Sequence, residues 1–307
     1  MQKILTIGGG TGHFQILRGL KNYECDLTAV VNMADNGSSS GRLRDEYGIL
    51  PPGDARQCIV ALANDDESRI LREVFSFRLK DGHNIGNLMI TALANITGSS
   101  AQAIKEAGKL LNIKGKVLPV TVDSIVLHGE TMEGKLLRGE SEITEIIESC
   151  RIRRLYNSPE AFVYKEVGEE IRNADKIIIC PGDLYGSILP NFITRGMPEA
   201  LKDSHAKLIY ICNLFTKGAT SGFNLSDFVA EIEKYSEVKM DKIIVNNLRP
   251  SKDVLDKYLG ENSELVENDL KNDSRVISGN YVEAYPSVEK TILRHVPEKI
   301  AREIISL

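Results

Sequence analysis

The chain has 307 residues and a mass of 34.0 kDa, is 42% hydrophobic and 26% charged, and carries a formal charge of −5. A folded chain of this mass exposes roughly 13,000 Å² of the about 49,000 Å² it exposes unfolded, which excludes a core-starved miniprotein, a collagen-like chain and a disordered tail. The negative balance, with no long Lys/Arg run, argues against bulk binding to nucleic acid or to an anionic membrane. Cysteines stand at 25, 58, 150, 180 and 212, an odd set with no C-x-x-C, so neither a zinc site nor a disulfide framework is expected. They read as reduced, mostly buried thiols. The segment Met1–Ile7 reaches glycine after a handful of apolar residues, and no later window offers 18 uncharged apolar positions. The expectation is a cytoplasmic protein with no membrane insertion.

Short Ile/Val-rich runs recur at Ile4–Ile7, Leu27–Val31, Val117–Val120, Lys176–Cys180, Leu208–Cys212 and Ile243–Val245. Their brevity predicts strands buried on both faces, as in a parallel sheet. Helical spacing lies between them. Phe14–Leu20 forms one helix, Ile59, Leu62 and Ala63 share a face, and Leu88, Leu93, Ala94 and Ile96 share another. Phe228, Val229 and Ile232 mark a further helix, with Ser226 and Asp227 as cap candidates. The alternation predicts a single α/β domain over residues 1–307, with a mostly parallel, doubly wound, Rossmann-like sheet. Residues 122–141 break the rhythm. Two extended arms flank Glu133-Gly134, which predicts a β-hairpin inserted in the sheet order. No repeat is apparent, and residues 248–307 carry the least specific pattern.

Gly8-Gly9-Gly10-Thr11-Gly12 follows the first strand directly and precedes the first helix. Glycine lets a ligand approach the backbone, and a helix N-terminus offers free N–H groups to an anion. These residues therefore read as a phosphate cradle. A dinucleotide fingerprint starting at Gly8 needs glycine where His13 stands, and a P-loop needs Lys-Ser/Thr after Gly12. The second strand ends at Asn32, not at the carboxylate that grips an adenosine ribose. Nicotinamide oxidoreductase chemistry is therefore ranked last.

After the second strand comes a long polar loop, with Asn32, Asp35, Asn36, Ser38, Ser39 and Arg42, followed by Pro51-Pro52-Gly53-Asp54-Ala55-Arg56. A carboxylate, amides, hydroxyls and arginines at the carboxyl edge of a parallel sheet suit a base, a ribose and a diphosphate. Asp54 alternatively reads as the N-cap of the next helix, and Asn84, Gly86 and Asn87 sit at another helix start. Further on, Pro181-Gly182 follows a strand, with a helix beginning near Tyr185 and Ser187 facing the same edge; Asn213 and Thr216 follow the next strand likewise. The five His are dispersed, and no H-E-x-x-H or G-x-S-x-G occurs.

These strings, with His83-Asn84-Ile85-Gly86-Asn87-Leu88, Gly139-Glu140-Ser141, Pro181 to Asn191, Tyr210 to Thr216 and Arg294-His295, resemble the gluconeogenesis-factor (YvcK-type) family across essentially the whole chain. That family is related to 2-phospho-L-lactate transferase (CofD). The resemblance implies a modified doubly wound fold and a bound nucleotide sugar such as UDP-glucose or UDP-N-acetylglucosamine. It also implies a role in cell shape and in growth on gluconeogenic carbon sources. The transferase branch implies instead the transfer of a phospholactyl group onto a deazaflavin with Mg²⁺.

The expected nucleotide- and phosphate-binding residues are therefore Gly8, Gly9, Gly10, Thr11, Gly12, Asn32, Asp35, Asn36, Ser38, Ser39, Arg42, Arg56, Asn84, Gly86, Asn87, Gly182, Tyr185, Ser187, Asn213, Thr216 and Arg294. Asp35 and Asp54 are the catalytic candidates if the protein is an enzyme, and the candidate Mg²⁺ ligands. Asn36 replaces a second acidic residue common in the family, and Asp183 replaces a hydroxyl donor; an amide holds Mg²⁺ less well than a carboxylate, and a carboxylate repels phosphate. The expected partner is a nucleotide or nucleotide-sugar ligand, with homodimerisation a further candidate.

Overall fold

Strands buried on both faces bring both sets of alternate side chains into a core, which is why they read as unbroken apolar runs. A computed structural model describes residues 1–64, 67–146, 151–260, 262–286 and 291–307. Its strands are β1 (Gln2–Gly8), β2 (Cys25–Val31), β3 (Lys116–Pro119), β4 (Val126–Thr131), β5 (Leu136–Arg138), β6 (Ile152–Ser158), β7 (Lys176–Ile179), β8 (Lys207–Ile211), β9 (Lys242–Asn246), β10 (Val276–Gly279), β11 (Val282–Pro286) and β12 (Thr291–His295). Helices are α1 (Gly10–Leu20), α2 (Ser38–Tyr47), α3 (Gly53–Leu62), α4 (Arg69–Ser76), α5 (Ile85–Thr97), α6 (Ser100–Leu110), α7 (Glu140–Thr144), α8 (Lys165–Asn173), α9 (Leu189–Phe192), α10 (Met197–Lys202), α11 (Leu225–Ser236), α12 (Lys252–Leu259) and α13 (Pro297–Ser306).

The main sheet has the order β10-β9-β8-β7-β1-β2-β3, and every pairing in it is parallel. Chain order reverses between β1 and β7, so the two halves diverge from the centre. Along β1, Leu5 and Ile7 face one core and Ile4 faces the other. The first core packs the sheet against α8, α10 and α11, for example Val167, Leu201 and Phe228. The second packs it against α1, α3, α6 and α13 through Leu17, Ile59, Ile104 and Ile304.

The hairpin forms as expected. Its arms are β4 and β5, and Gly134 at φ +84° takes the left-handed turn position. β6 pairs with the other side of β4, so the insertion is a three-stranded antiparallel sheet rather than a hairpin alone. Its Leu127, Leu137 and Leu155 join the first core. β6, with its paired arginines Arg153 and Arg154, lacks the apolar run of the other strands. β10 and the β11–β12 hairpin were missed for the same reason: each is an edge element, and edges bury too little to leave a clear pattern.

Three local expectations are corrected. Ile96 is 81% exposed: α5 buries Ile90, Thr91 and Ala94 with Leu88 and Leu93 partly buried beside them, and Ile96 falls outside that face. The cap of α11 is Asn224, with the Asp227 side chain accepting the Asn224 N–H in a capping box. Asp54 is not the cap of α3; Pro52 holds that position, and the Asp54 carboxylate reaches across to the Gly10 N–H of α1. Cys58, Cys180 and Cys212 are buried and Cys25 half-buried, all as thiols, while Cys150 lies outside the described residues.

Candidate functional site

Parallel strands put the loops after β1, β2, β7 and β8 on one rim, and here hydrogen bonds sew them together. Asn32 follows β2, donates from Nδ2 to the Gly186 carbonyl at 2.9 Å and accepts the Ala34 N–H on Oδ1. Asn213, after β8, donates to the Gly182 carbonyl at 2.5 Å. A Cβ on Gly182 would sit 3.2 Å from the Gly9 carbonyl oxygen, so the β1 and β7 loops touch. A Cβ on Gly12 would fall inside contact distance of the Pro181 carbonyl; only glycine lets α1 begin there.

A cleft of about 150 Å³ lies at this switch point, lined by Thr11, Gly12, Gln15, Gly182, Asn213 and Arg294 among others. Helix α1 begins at Gly10, earlier than its apolar pattern showed, so Thr11 and Gly12 belong to its first turn. Arg294 reaches the cleft from β12 and forms no ion pair among the described residues. A helix N-terminus and an unpaired guanidinium both favour negative charge. Gln15, Leu214, Leu293 and His295 also line it and were not foreseen. His295 is buried and neutral, since burial drives its pKa down to about 4.

Part of the expected cradle is filled from within. The Gly10 N–H donates to Asp54 Oδ1 at 2.9 Å, and Asp54 Oδ2 lies against Gly9. The carboxylate takes the place an external anion would occupy at that amide. Burial is the main force pushing Asp54 up to about 7, with the neighbouring Asp35 charge adding to it. Glu140, on α7, is pushed up to about 8, mainly by burial and then by Asp35, Asp183 and Asp54. Asp183 is raised by burial, and its Oδ1 accepts the Gly186 N–H at 2.8 Å, so it caps the turn at Leu184–Ile188. Glu140 and Asp183 were the members of this acidic floor that chain position alone did not bring together.

The remaining expected residues divide by their contacts. Asp35 accepts the Gly37 N–H, and Asn36 Oδ1 accepts both the N–H and the hydroxyl of Ser141. Asn36 thus ties the β2 loop to α7. Asn84 caps α5 by accepting the Gly86 N–H. Arg56 Nε donates to Asn87 Oδ1 at 2.9 Å, and Asn87 Nδ2 donates to Ser39. Arg42 is exposed beside them and Ser38 opens α2. Gly8 lies against Cys180 and His13, and Ser187 against Gly9 and Gly182. Tyr185 is buried in the first core with its hydroxyl 3.5 Å from Glu231, away from the cleft. Thr216 is buried, its hydroxyl accepting the Glu264 N–H. Both side chains are struts where ligand contacts were expected.

Among the described residues, no three His, Cys, Asp or Glu side chains are arranged to hold a metal ion. Asp35 and Asp54 form at most a two-carboxylate edge. That suits Mg²⁺ only where ligand phosphates complete its shell.

A doubly wound α/β protein with a polar cleft at its switch point is the class that this geometry defines. Residues 4–282 match the family model described as 2-phospho-L-lactate transferase CofD, and the chain belongs to that family. It is 41% identical over 312 residues to a putative gluconeogenesis factor of Thermotoga maritima, covering 97% of each chain. It is 37% identical to the gluconeogenesis factor of Bacillus subtilis, covering 99% of this chain and 98% of that one. The crystal structure of protein BH3568 from Bacillus halodurans superposes with a TM-score of 0.92 at 38% identity, over 99% of both chains.

Proposed function

We propose that the chain binds a nucleotide diphosphate sugar of the UDP-sugar type and acts as a regulatory factor for growth on gluconeogenic carbon and for cell shape. The observation that carries this reading is the cleft in which Thr11 and Gly12 at the start of α1 face Gly182, Asn213 and the unpaired Arg294. Its 150 Å³ suits the diphosphate, while a complete ligand needs at least about 300 Å³. The nucleoside and sugar would therefore extend along the rim over the β2 and β8 loops. The names of the relatives support the physiological part. In the described residues no helix is long and apolar enough to cross a membrane.

Calorimetric titration with UDP-glucose tests the binding. Saturable heat is expected, weakened at least tenfold in Arg294→Ala because a charge-assisted contact is removed. No heat with any UDP-sugar would sink the proposal. A strain lacking its own gluconeogenesis factor, complemented with this chain, tests the physiological role through growth on a gluconeogenic carbon source.

A second reading is favoured by the raised carboxylates. Asp54 near 7 and Glu140 near 8 are poised to exchange protons at neutral pH, as a transferase moving a phospholactyl-like group from a nucleotide-activated donor would require. It predicts Mg²⁺-dependent turnover of such a donor, abolished by Asp54→Asn.

A further inference from the structure

Beyond Asp54 the wall of the rim changes sign. Arg42 comes from α2, Arg56 from α3 and Arg78 from the segment joining α4 to α5. Each is braced by a neutral acceptor rather than a carboxylate. Arg42 donates to the Asp81 carbonyl at 2.9 Å, Arg78 to the Gly82 carbonyl at 2.8 Å, and Arg56 to Asn87 Oδ1. The Arg42 and Arg78 guanidinium groups both reach Gly82: a Cβ there would lie 3.5 Å from Arg42 Nη2, and the Gly82 carbonyl accepts from Arg78. Asn87 leads on through Ser39, whose hydroxyl lies 3.0 Å from His83 Nδ1, and His83 directly follows Gly82. The three arginines are thus one connected patch.

Nearby carboxylates accept backbone N–H groups instead of pairing with these arginines. Asp81 Oδ1 accepts the His83 N–H, and Asp54 Oδ1 accepts the Gly10 N–H. Among the described residues none of the three arginines forms an ion pair. Each guanidinium has five N–H donors, so most stay available after one is used for bracing. Burial lowers the pKa of Arg56, the charge of Arg78 lowers it further, the sign of repulsion within the patch, and the charge of Asp54 opposes both. Solvated arginines ordinarily spread apart. Here neutral braces hold like charges from three elements together, an arrangement that costs free energy until an anion arrives.

We propose that Ser39, Arg42, Arg56, Arg78, His83 and Asn87 form a second oxyanion subsite, taking a phosphoryl or carboxylate group across Asp54 from the switch-point cleft. The group is either carried on the far end of the nucleotide ligand or belongs to a separate small acid. Both sources share the same chemistry: a planar or tetrahedral oxyanion gripped by guanidinium forks. The subsite does not depend on the identity of the nucleotide.

Inorganic phosphate is the probe, titrated calorimetrically at low chloride into the wild type and into Arg78→Gln, Arg78→Lys and Arg294→Ala. Arg78 is exposed, so its replacement leaves the core untouched. Expected are two phosphate sites in the wild type, one of which persists in Arg294→Ala, is weakened about tenfold in Arg78→Gln and is partly restored in Arg78→Lys. A phosphate isotherm unchanged in Arg78→Gln, or one in which Arg294→Ala already removes all phosphate binding, overturns the proposal. A parallel pair separates the sources. UDP-glucuronate binding more tightly than UDP-glucose, with the difference erased by Arg78→Gln, assigns the anion to the ligand's sugar end; equal binding of the two alongside intact phosphate binding assigns it to a separate acid. Absence of any UDP-sugar heat would remove the nucleotide reading and leave the phosphate result standing.

Discussion

Asp54 shows how one side chain sets the terms for an anion. It accepts the Gly10 N–H at the start of α1, where a helix dipole favours negative charge. Burial and Asp35 oppose that charge and bring its pKa to about 7. Around it stand Asp35, Glu140 and Asp183 on the acidic side and Arg56 and Lys217 on the basic side. A UDP-sugar pyrophosphate carries constant charge from pH 6 to 9, so its affinity should fall as pH rises through 7 and 8 and Asp54 and Glu140 ionise. The expected loss is about tenfold for each of the two added charges at partly screened distance. Asp54→Asn should remove the step near pH 7 and leave the Glu140 step near 8; calorimetry from pH 6 to 9 checks it. The same raised pKa has a stability consequence. Between about 4 and 7 the folded state holds the proton that the unfolded chain has lost, so this group's contribution is full below pH 4 and disappears as pH rises to 7.

At the level of elements, α1 is placed by glycines as much as by its apolar face. Ile16, Leu17 and Leu20 bury that face, and these were plain in the sequence. The docking of its first turn was not. Gly12 abuts the backbone of Pro181, and neither side is a flexible side chain that can swing away. Gly12→Ala should therefore cost about 1–3 kcal/mol through overpacking, and should weaken ligand binding by prying the β1 loop from the β7 loop. Chemical denaturation gives the first quantity and UDP-glucose titration the second. The β4–β5–β6 sheet makes the complementary point. Its turn at Gly134 was legible from residue type, whereas β6 was hidden because its inward residues, Ile152 and Leu155, are too widely spaced to stand out.

Across the whole molecule, the C-terminal helix closes the second core. Ile300 and Ile304 of α13 are fully buried, and a Cβ on Gly19 would collide with the Pro297 carbonyl where α13 crosses α1. The buried Lys176 at the start of β7 donates to the carbonyl of Ile304 at 2.7 Å, tying the last helix to the centre of the sheet. Ile304→Ala should cost about 2–5 kcal/mol, the range for emptying a core position, and thermal unfolding should show it as a lowered midpoint. A change on the surface of α12, which buries no residue, should leave the midpoint unmoved.

Local chemistry determined the strands, the glycine loop and the order of the motifs, because burial on both faces demands apolar runs and a tight strand-to-helix turn demands glycine. It could not decide which polar residues meet. Asp54, Glu140 and Asp183 come from three separate stretches of chain, as do Arg42, Arg56 and Arg78, and only the parallel sheet brings their loops to one rim. There the structure also turned Thr216 and Tyr185 into struts and placed Asp54 inside the cradle. The competition between an internal carboxylate and an external phosphate for one helix end depends on distances that no linear pattern encodes.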